Sequence, residues 1–170
     1  KVLAVDADFG NQRLTELLYG FIPNHAGIAE IIEDEVDLST AILNTGAPEH
    51  VSILSRGKKP TSTSDLLSSV KTHELFIKLA DIYDVVIIDA PPRLHVAYTS
   101  VLAQIADKTI VVIRHRGSVT RLEDLAQRLD IVGAPLAGYV YNAAPLRYEM
   151  SRTSGSLGNV LGEPDKAART

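Results

Sequence analysis

The sequence predicts a doubly wound α/β domain with a mostly parallel sheet. Apolar runs of four to six consecutive residues recur along the chain, the pattern of strands covered on both faces rather than on one. Stretches with apolar residues at helical spacing lie between them. Strand and helix alternate in chain order, as a parallel sheet with crossover helices requires.

The elements follow in sequence. Val2–Val5 reads as the first strand, and Leu14–Gly20 as a helix with one apolar face, closed by a glycine. Residues 20–63 are less regular. Short helical pieces at Ile28–Glu33 and Ser39–Leu43 and a weaker strand at Val51–Leu54 are broken up by Pro23, Gly27, Gly46, Pro48, Gly57 and Pro60. The expectation there is a crossover layer with an exposed basic loop at "SRGKKPTST". Ser64–Ile82 reads as one helix, with Ser64 as N-cap, Asp65 in the first turn, and Leu66, Leu67, Val70, Leu75, Ile77 and Leu79 at roughly helical spacing. Val85–Ile88 is the second strong strand, followed by a helix at Val96–Ala106, a strand at Thr109–Ile113, a helix at Val119–Ile131 and a strand at Leu136–Tyr141. Past Leu146 the apolar periodicity is lost, and Gly, Ser and charge predict a mobile tail over residues 148–170. One domain over residues 1–147 accounts for the rest.

Bulk properties narrow the function classes. The 170 residues suffice for one domain with a real core. A net charge of −4 gives no cationic surface for nucleic acid. Cysteine is absent, which excludes disulfides and thiolate metal sites and agrees with a reducing compartment. No apolar run approaches the ~20 residues of a membrane span, and no signal peptide is visible. The chain opens on Lys1 and enters a strand at once, which reads as a chain whose first part is not included.

Two strands end in acid. One reads "VLAVDADFG", placing Asp6 and Asp8 on the same side of an extended backbone; the other reads "YDVVIIDAPP" and ends at Asp89. Ligands of open α/β sheets bind beyond the carboxyl ends of the strands, so adjacency of these two strands would converge three carboxylates on one mouth. Such a trio repels itself and calls for a cation, of which Mg²⁺, hard and shared with substrate phosphates, is the natural choice. The alternative is that each aspartate caps a helix or turn. A phosphate cradle is missing: "RGKKPTS" lacks the glycine spacing of G-x-x-x-x-G-K-[ST]. His25, His50, His73, His95 and His115 are scattered without metal-ligand spacing. Arg114, Arg116 and Arg121 gather at a strand's carboxyl end, to meet phosphate or a partner's acid, or only solvent.

"VLAVDADF" resembles the second Walker-A-type motif of the bacterial tyrosine kinases, and "YDVVIIDAPP" their Walker B. "SDLLSSVKTHELFIKLADIYD", "DKTIVVIRHRGSVTRLEDL" and "GAPLAGYVYNAAPLR" are similar to the flanking units, in unbroken order over residues 1–147. The resemblance implies a P-loop NTPase-like domain truncated before the D-x-D strand, lacking the P-loop unit that the family carries ahead of it. It implies an ATP- and Mg²⁺-dependent protein-tyrosine (auto)kinase regulating capsular or exopolysaccharide biosynthesis and export, inactive as this stretch alone. By position, Asp6 and Asp8 match the paired acids, one assisting proton removal from tyrosine and the other supporting Mg²⁺; either can be the base, and Asp8 stands with Asp89 as a metal candidate. Asp89 matches the Walker B acid. Asn142 stands where related ATPases read the adenine edge, an amide offering both donor and acceptor, or else is a turn residue.

The family commonly has arginine where this chain has Gly10; Arg13, on the following helix, is the candidate to replace it. D-x-D-x-G is also the spelling of Min- and Par-type ATPase switches, and a non-catalytic regulatory homologue in a polysaccharide assembly is a further alternative. The resemblance also implies a homo-oligomer, a membrane-embedded polysaccharide co-polymerase region or partner, and a location at the cytoplasmic face of the plasma membrane. Family members phosphorylate tail tyrosines of neighbouring subunits; Tyr148 is the acceptor candidate here.

Overall fold

The computed structural model describes residues 1–45, 50–91, 97–115 and 119–144. Pro92, Val96, His95, Arg116, Gly46, Pro48, the tail and Tyr148 lie outside the described residues, and Arg121 falls in a helix whose first side chains are likewise outside them. The chain runs β1 (Val2–Asp6), α1 (Arg13–Tyr19), α2 (Ile28–Ile32), α3 (Leu38–Ala41), β2 (Ile42–Asn44), β3 (Val51–Leu54), α4 (Thr63–Leu67), α5 (Val70–Ile82), β4 (Val85–Asp89), α6 (Ala97–Ile105), β5 (Thr109–Arg114), α7 (Val119–Ile131) and β6 (Leu136–Asn142).

The strands form a four-stranded sheet in the order β2-β3-β1-β4 and a parallel pair β5-β6. β1 is parallel to both β3 and β4; β2 alone is antiparallel, turning back on β3. β2 differs from the helical piece expected over Ser39–Leu43: α3 stops at Ala41, and Ile42 is already extended (φ −81°, ψ 127°). The helix expected over Ser64–Ile82 is two helices. Ser62, not Ser64, caps α4, accepting from the Asp65 amide, and Ser69 caps α5, accepting from the Thr72 amide. Each serine satisfies an otherwise orphaned N–H, so the break at Ser68–Ser69 loses little hydrogen bonding.

The central strand β1 is buried on both faces. Leu3 and Val5 meet Leu54, Val86 and Ile88 under Leu66, Leu67, Leu75, Phe76, Leu79, Tyr98 and Leu102. Ala4 and Asp6 point the other way, where α1 packs across β1 and β3. A smaller cluster joins Ala103 of α6 to Val111 and Ile113 of β5 and to Leu125 and Leu129 of α7.

α6 thus bridges both sheets on one face. Among the described residues the opposite face is bare beyond α1: Val85 and Ile87 of β4 are about half exposed, and Ile110 and Val112 of β5 are 61% and 63% exposed. Burial of β4, β5 and β6 on both faces, expected from their unbroken apolar runs, does not hold. The physical reason is that α5, α6 and α7 all line one side, and among the described residues only α1 stands on the other. The ladder is interrupted as well: among the described residues β4 pairs only with β1, and β5 only with β6.

Candidate active site at the carboxyl edge of the sheet

The register of β1 against β4 sets Val5 beside Ile88 and Asp6 beside Asp89. Two acid-terminated strands are therefore neighbours, and their acids meet at one edge, as the motif argument expects. The Ala7 amide donates to the Asp89 carbonyl at 2.9 Å, carrying the pairing one residue past the strand. Asp8 stands two residues beyond Asp6, at the head of the turn into α1.

Each acid has a distinct environment. Asp6 is fully buried. Its Oδ2 accepts from the Thr15 amide at 2.8 Å and the Thr15 hydroxyl at 2.6 Å. Gln12, the N-cap residue of α1, makes no side-chain cap, so Asp6 supplies it from the strand. The other carboxylate oxygen, Oδ1, is buried without a partner. Asp8 Oδ1 accepts from the amides of Gly10 at 2.9 Å and Asn11 at 3.2 Å, an Asx-type turn. A Cβ on Gly10 would stand 3.2 Å from that same oxygen, which favours glycine at this place. The capping role weighed as an alternative is thus real for both acids, and it coexists with their convergence.

Asp89 is open to solvent, yet its carboxyl is held above the ordinary value, first by desolvation and then by the charges of Asp6 and Asp8. Tyr98, at the start of α6, has its phenol pushed up by burial and by the Asp8 charge, so it stands within electrostatic reach of the turn. No group of three or more acid or histidine side chains among the described residues is spaced as a metal cage. A magnesium ion held by one or two carboxylates and substrate phosphates needs no such cage. Asp89, its carboxyl raised by desolvation and by the Asp6 and Asp8 charges, has like-charge surroundings that a cation of that kind relieves.

The remaining candidates lie apart. Arg13 opens α1 and pairs with Glu16 on the helix surface. Asn142 is the last residue of β6, opposite Arg114; its Oδ1 accepts from the Ala143 amide at 2.8 Å, and Ala143 has φ 57°. The turn role is therefore taken by its carbonyl, leaving its amide nitrogen to the surface. Beside it, His115 Nδ1 lies 2.5 Å from the Tyr141 hydroxyl.

Sequence reading missed Thr15, Arg56 and Tyr98. Arg56 lies in the loop expected to be merely exposed and basic, but it is half-buried and donates to the Phe9 carbonyl inside the D-x-D turn. Lys58 of the same loop is tied to Glu33 and Glu35, each at 2.6 Å, which drive its pKa well up. The available signal was Gly57 directly after Arg56, a marker of close backbone approach.

An open, mostly parallel α/β sheet with paired strand-terminal acids at its carboxyl edge is the architecture of P-loop nucleotide-binding proteins. The chain belongs to the AAA domain family, whose model matches residues 1–134. It is 31% identical over 143 residues to the tyrosine-protein kinase ptk of Acinetobacter johnsonii, an alignment spanning 84% of this chain and 19% of that protein. Among solved structures it resembles the kinase domain of Escherichia coli tyrosine kinase ETK (TM-score 0.76, 27% identity, 84% of this chain, 55% of that one). The septum site-determining protein MinD of Pyrococcus horikoshii, complexed with Mg-ADP, is similar at TM-score 0.63 and 25% identity, over 82% of this chain and 56% of that one. The chain therefore spans about a fifth of the first relative and about half of each solved chain. No helix among the described residues is long and apolar enough to cross a membrane.

Proposed function

We propose that the chain is the greater part of the catalytic domain of a bacterial protein-tyrosine kinase that uses ATP and Mg²⁺ and acts in capsular or exopolysaccharide biosynthesis and export. The observation that carries this reading is the convergence of Asp6, Asp8 and Asp89 on one sheet edge, in a chain similar to tyrosine kinases over 84% of its length.

When bound, Mg-ATP supplies the γ-phosphoryl group and the charge neutralisation that phosphoryl transfer needs. Asp89 would hold the hydrated cation. Asp6, locked onto Thr15, keeps the turn and α1 in register. Asp8, closer to solvent, is the better placed of the two paired acids to take the tyrosine proton. Asn142 and Arg13 are assigned to the nucleotide base and phosphates.

The phosphate cradle is assigned to a further strand–helix unit outside residues 1–170. The edges of β4 and β5, unpaired among the described residues, and the exposed apolar face of Val85, Ile87, Ile110 and Val112 support this, since such a unit provides partners of the kind each lacks there. Subunits would assemble as a homo-oligomer at the cytoplasmic face of the membrane, beside or fused to a polysaccharide co-polymerase segment, with Tyr148 of one tail presented to its neighbour.

Gly10, in a D-x-D-x-G spelling and tight against Asp8, favours one rival: an ATPase switch that hydrolyses ATP without modifying protein. Incubating the full-length protein with Mg-ATP and mapping phosphate by mass spectrometry separates the two. Phosphotyrosine, lost in Asp8→Asn, is expected. Released phosphate without phosphotyrosine establishes the switch; neither product establishes a regulatory homologue. Phosphate on other tyrosines with Tyr148 unmodified removes Tyr148.

A further inference from the structure

We propose that Arg56 is a positioning residue that holds the D-x-D turn, and with it the Asp8 carboxylate, against Asp89. The inference rests on the kinase reading for its catalytic consequence and on geometry alone for the clamp itself.

The base of the clamp is a rigid junction between the loop after β3 and the start of α2. The Ile28 amide donates to the Ser55 carbonyl at 2.9 Å, and the Ala29 amide to the Arg56 carbonyl at 3.0 Å. Gly27 packs directly on this loop: a Cβ there would lie 2.2 Å from the Ser55 carbonyl oxygen and 2.3 Å from the Gly57 nitrogen. Gly57 has φ 76°, and a Cβ on it would strike the Glu30 carboxylate. That carboxylate ties both sides together, accepting from the amides of Gly27 and Lys58 at 2.8 Å each. Lys58 adds its ion pairs to Glu33 and Glu35. The Arg56 backbone is thus fixed before its side chain begins.

From this base the guanidinium crosses to the site and donates through Nη1 to the Phe9 carbonyl. Phe9 follows Asp8 directly, and it is held on its other side too: its ring is buried edge-on against Tyr98, with centroids 6.2 Å apart at 76°. Phe9 is therefore gripped at its carbonyl by Arg56 and at its ring by Tyr98. Asp8 then folds back onto the Gly10 and Asn11 amides. Arg56 Nε is buried without a partner, an unfavourable arrangement that a purely surface arginine would not adopt. A charge-assisted bond to a carbonyl is stronger than a neutral one, which suits a contact that must hold a carboxylate among two others.

Two measurements on the full-length protein test this. Hydrogen exchange reads the clamp without reference to activity. In Arg56→Gln the Gly10 and Asn11 amides are expected to exchange at least about tenfold faster, as loss of one charged hydrogen bond implies, with Leu79 of α5 unchanged and Arg56→Lys restoring part of the protection. Unchanged exchange at Gly10 and Asn11 overturns the clamp. Kinetics then read the catalytic consequence. Arg56→Gln is expected to lower kcat for tyrosine phosphorylation about tenfold with little change in KM for ATP, and to add nothing further in an Asp8→Asn background, because both changes act on one group. Full additivity, or a loss confined to KM, overturns the positioning role. A parent protein that phosphorylates no tyrosine refutes the kinase reading instead, and the exchange result still decides the clamp.

Discussion

Asp6 and Asp89 are register partners on adjacent parallel strands, and the charge of Asp6 is one of the two that hold the Asp89 carboxyl above its ordinary value, after desolvation. A carboxyl raised in the folded state binds more protons there than in the unfolded chain. Its contribution to stability is therefore greatest at low pH and declines as pH climbs from 3.8 through the raised value. Asp89→Asn removes that decline. Urea unfolding is expected to show the variant more stable than the parent at neutral pH, by less than about 1 kcal/mol because the site is exposed, with the difference shrinking as pH falls and vanishing below pH 3.8. In the full-length protein the same change is expected to weaken Mg²⁺-dependent nucleotide binding, which calorimetry reads directly; unchanged binding would remove Asp89 from the metal site.

Asp6 and Thr15 make the strongest structural demand at the site. Asp6→Ala strands a buried amide and hydroxyl and is expected to cost about 1–3 kcal/mol. Thr15→Val keeps the shape, removes one of the two donors to Oδ2 and is expected to cost about 1 kcal/mol. Paired thermal melts check both. If Thr15→Val also abolishes phosphorylation while the fold survives, Asp6 serves the chemistry through this contact as well as the helix.

Asp8 separates turn from charge. Asn in its place still accepts from the Gly10 and Asn11 amides, so Asp8→Asn is expected to melt within about 0.5 kcal/mol of the parent while losing phosphotransfer. Asp8→Ala loses both turn and charge and is expected to unfold earlier. Equal melting of the two variants would show that the Asx turn contributes nothing.

Gly27→Ala tests the glycine junction. A methyl group 2.2 Å from the Ser55 carbonyl oxygen forces the loop off α2, at an expected cost of about 3 kcal/mol. Denaturant titration gives the number, and a cost below about 0.5 kcal/mol would mean the two loops separate freely.

The bare face gives a contrast between two lengths of the same protein. Ile87→Thr and Ile110→Thr change side chains that are 55% and 61% exposed in residues 1–170, so they are expected to shift the stability of this stretch by less than about 0.5 kcal/mol. The strand–helix unit proposed above, seated there in a longer protein, would make each of them a core substitution, costing about 1–3 kcal/mol. Equal small effects in both lengths would argue against any cover on this face.

Much of the fold was legible because it is local. Consecutive apolar residues at Val2–Val5 and Val85–Ile88 marked strands, and both acids sat where those strands stop. Composition excluded disulfides and a cationic nucleic-acid surface, and the two acid motifs carried the family resemblance. The limits were equally physical. Periodicity over Ser64–Ile82 does not register that Ser62 and Ser69 compete for backbone amides, so two helices read as one. An unbroken apolar run cannot tell a strand covered on both faces from one covered on a single face, so β4 and β5 read as buried. Only the tertiary structure put β1 beside β4 and so made two separate motifs one site. It alone brought Thr15 under Asp6 and Arg56 onto the turn, 47 residues away in sequence. Strand order and long-range hydrogen bonds depend on which surfaces meet, and no window along the chain contains that information.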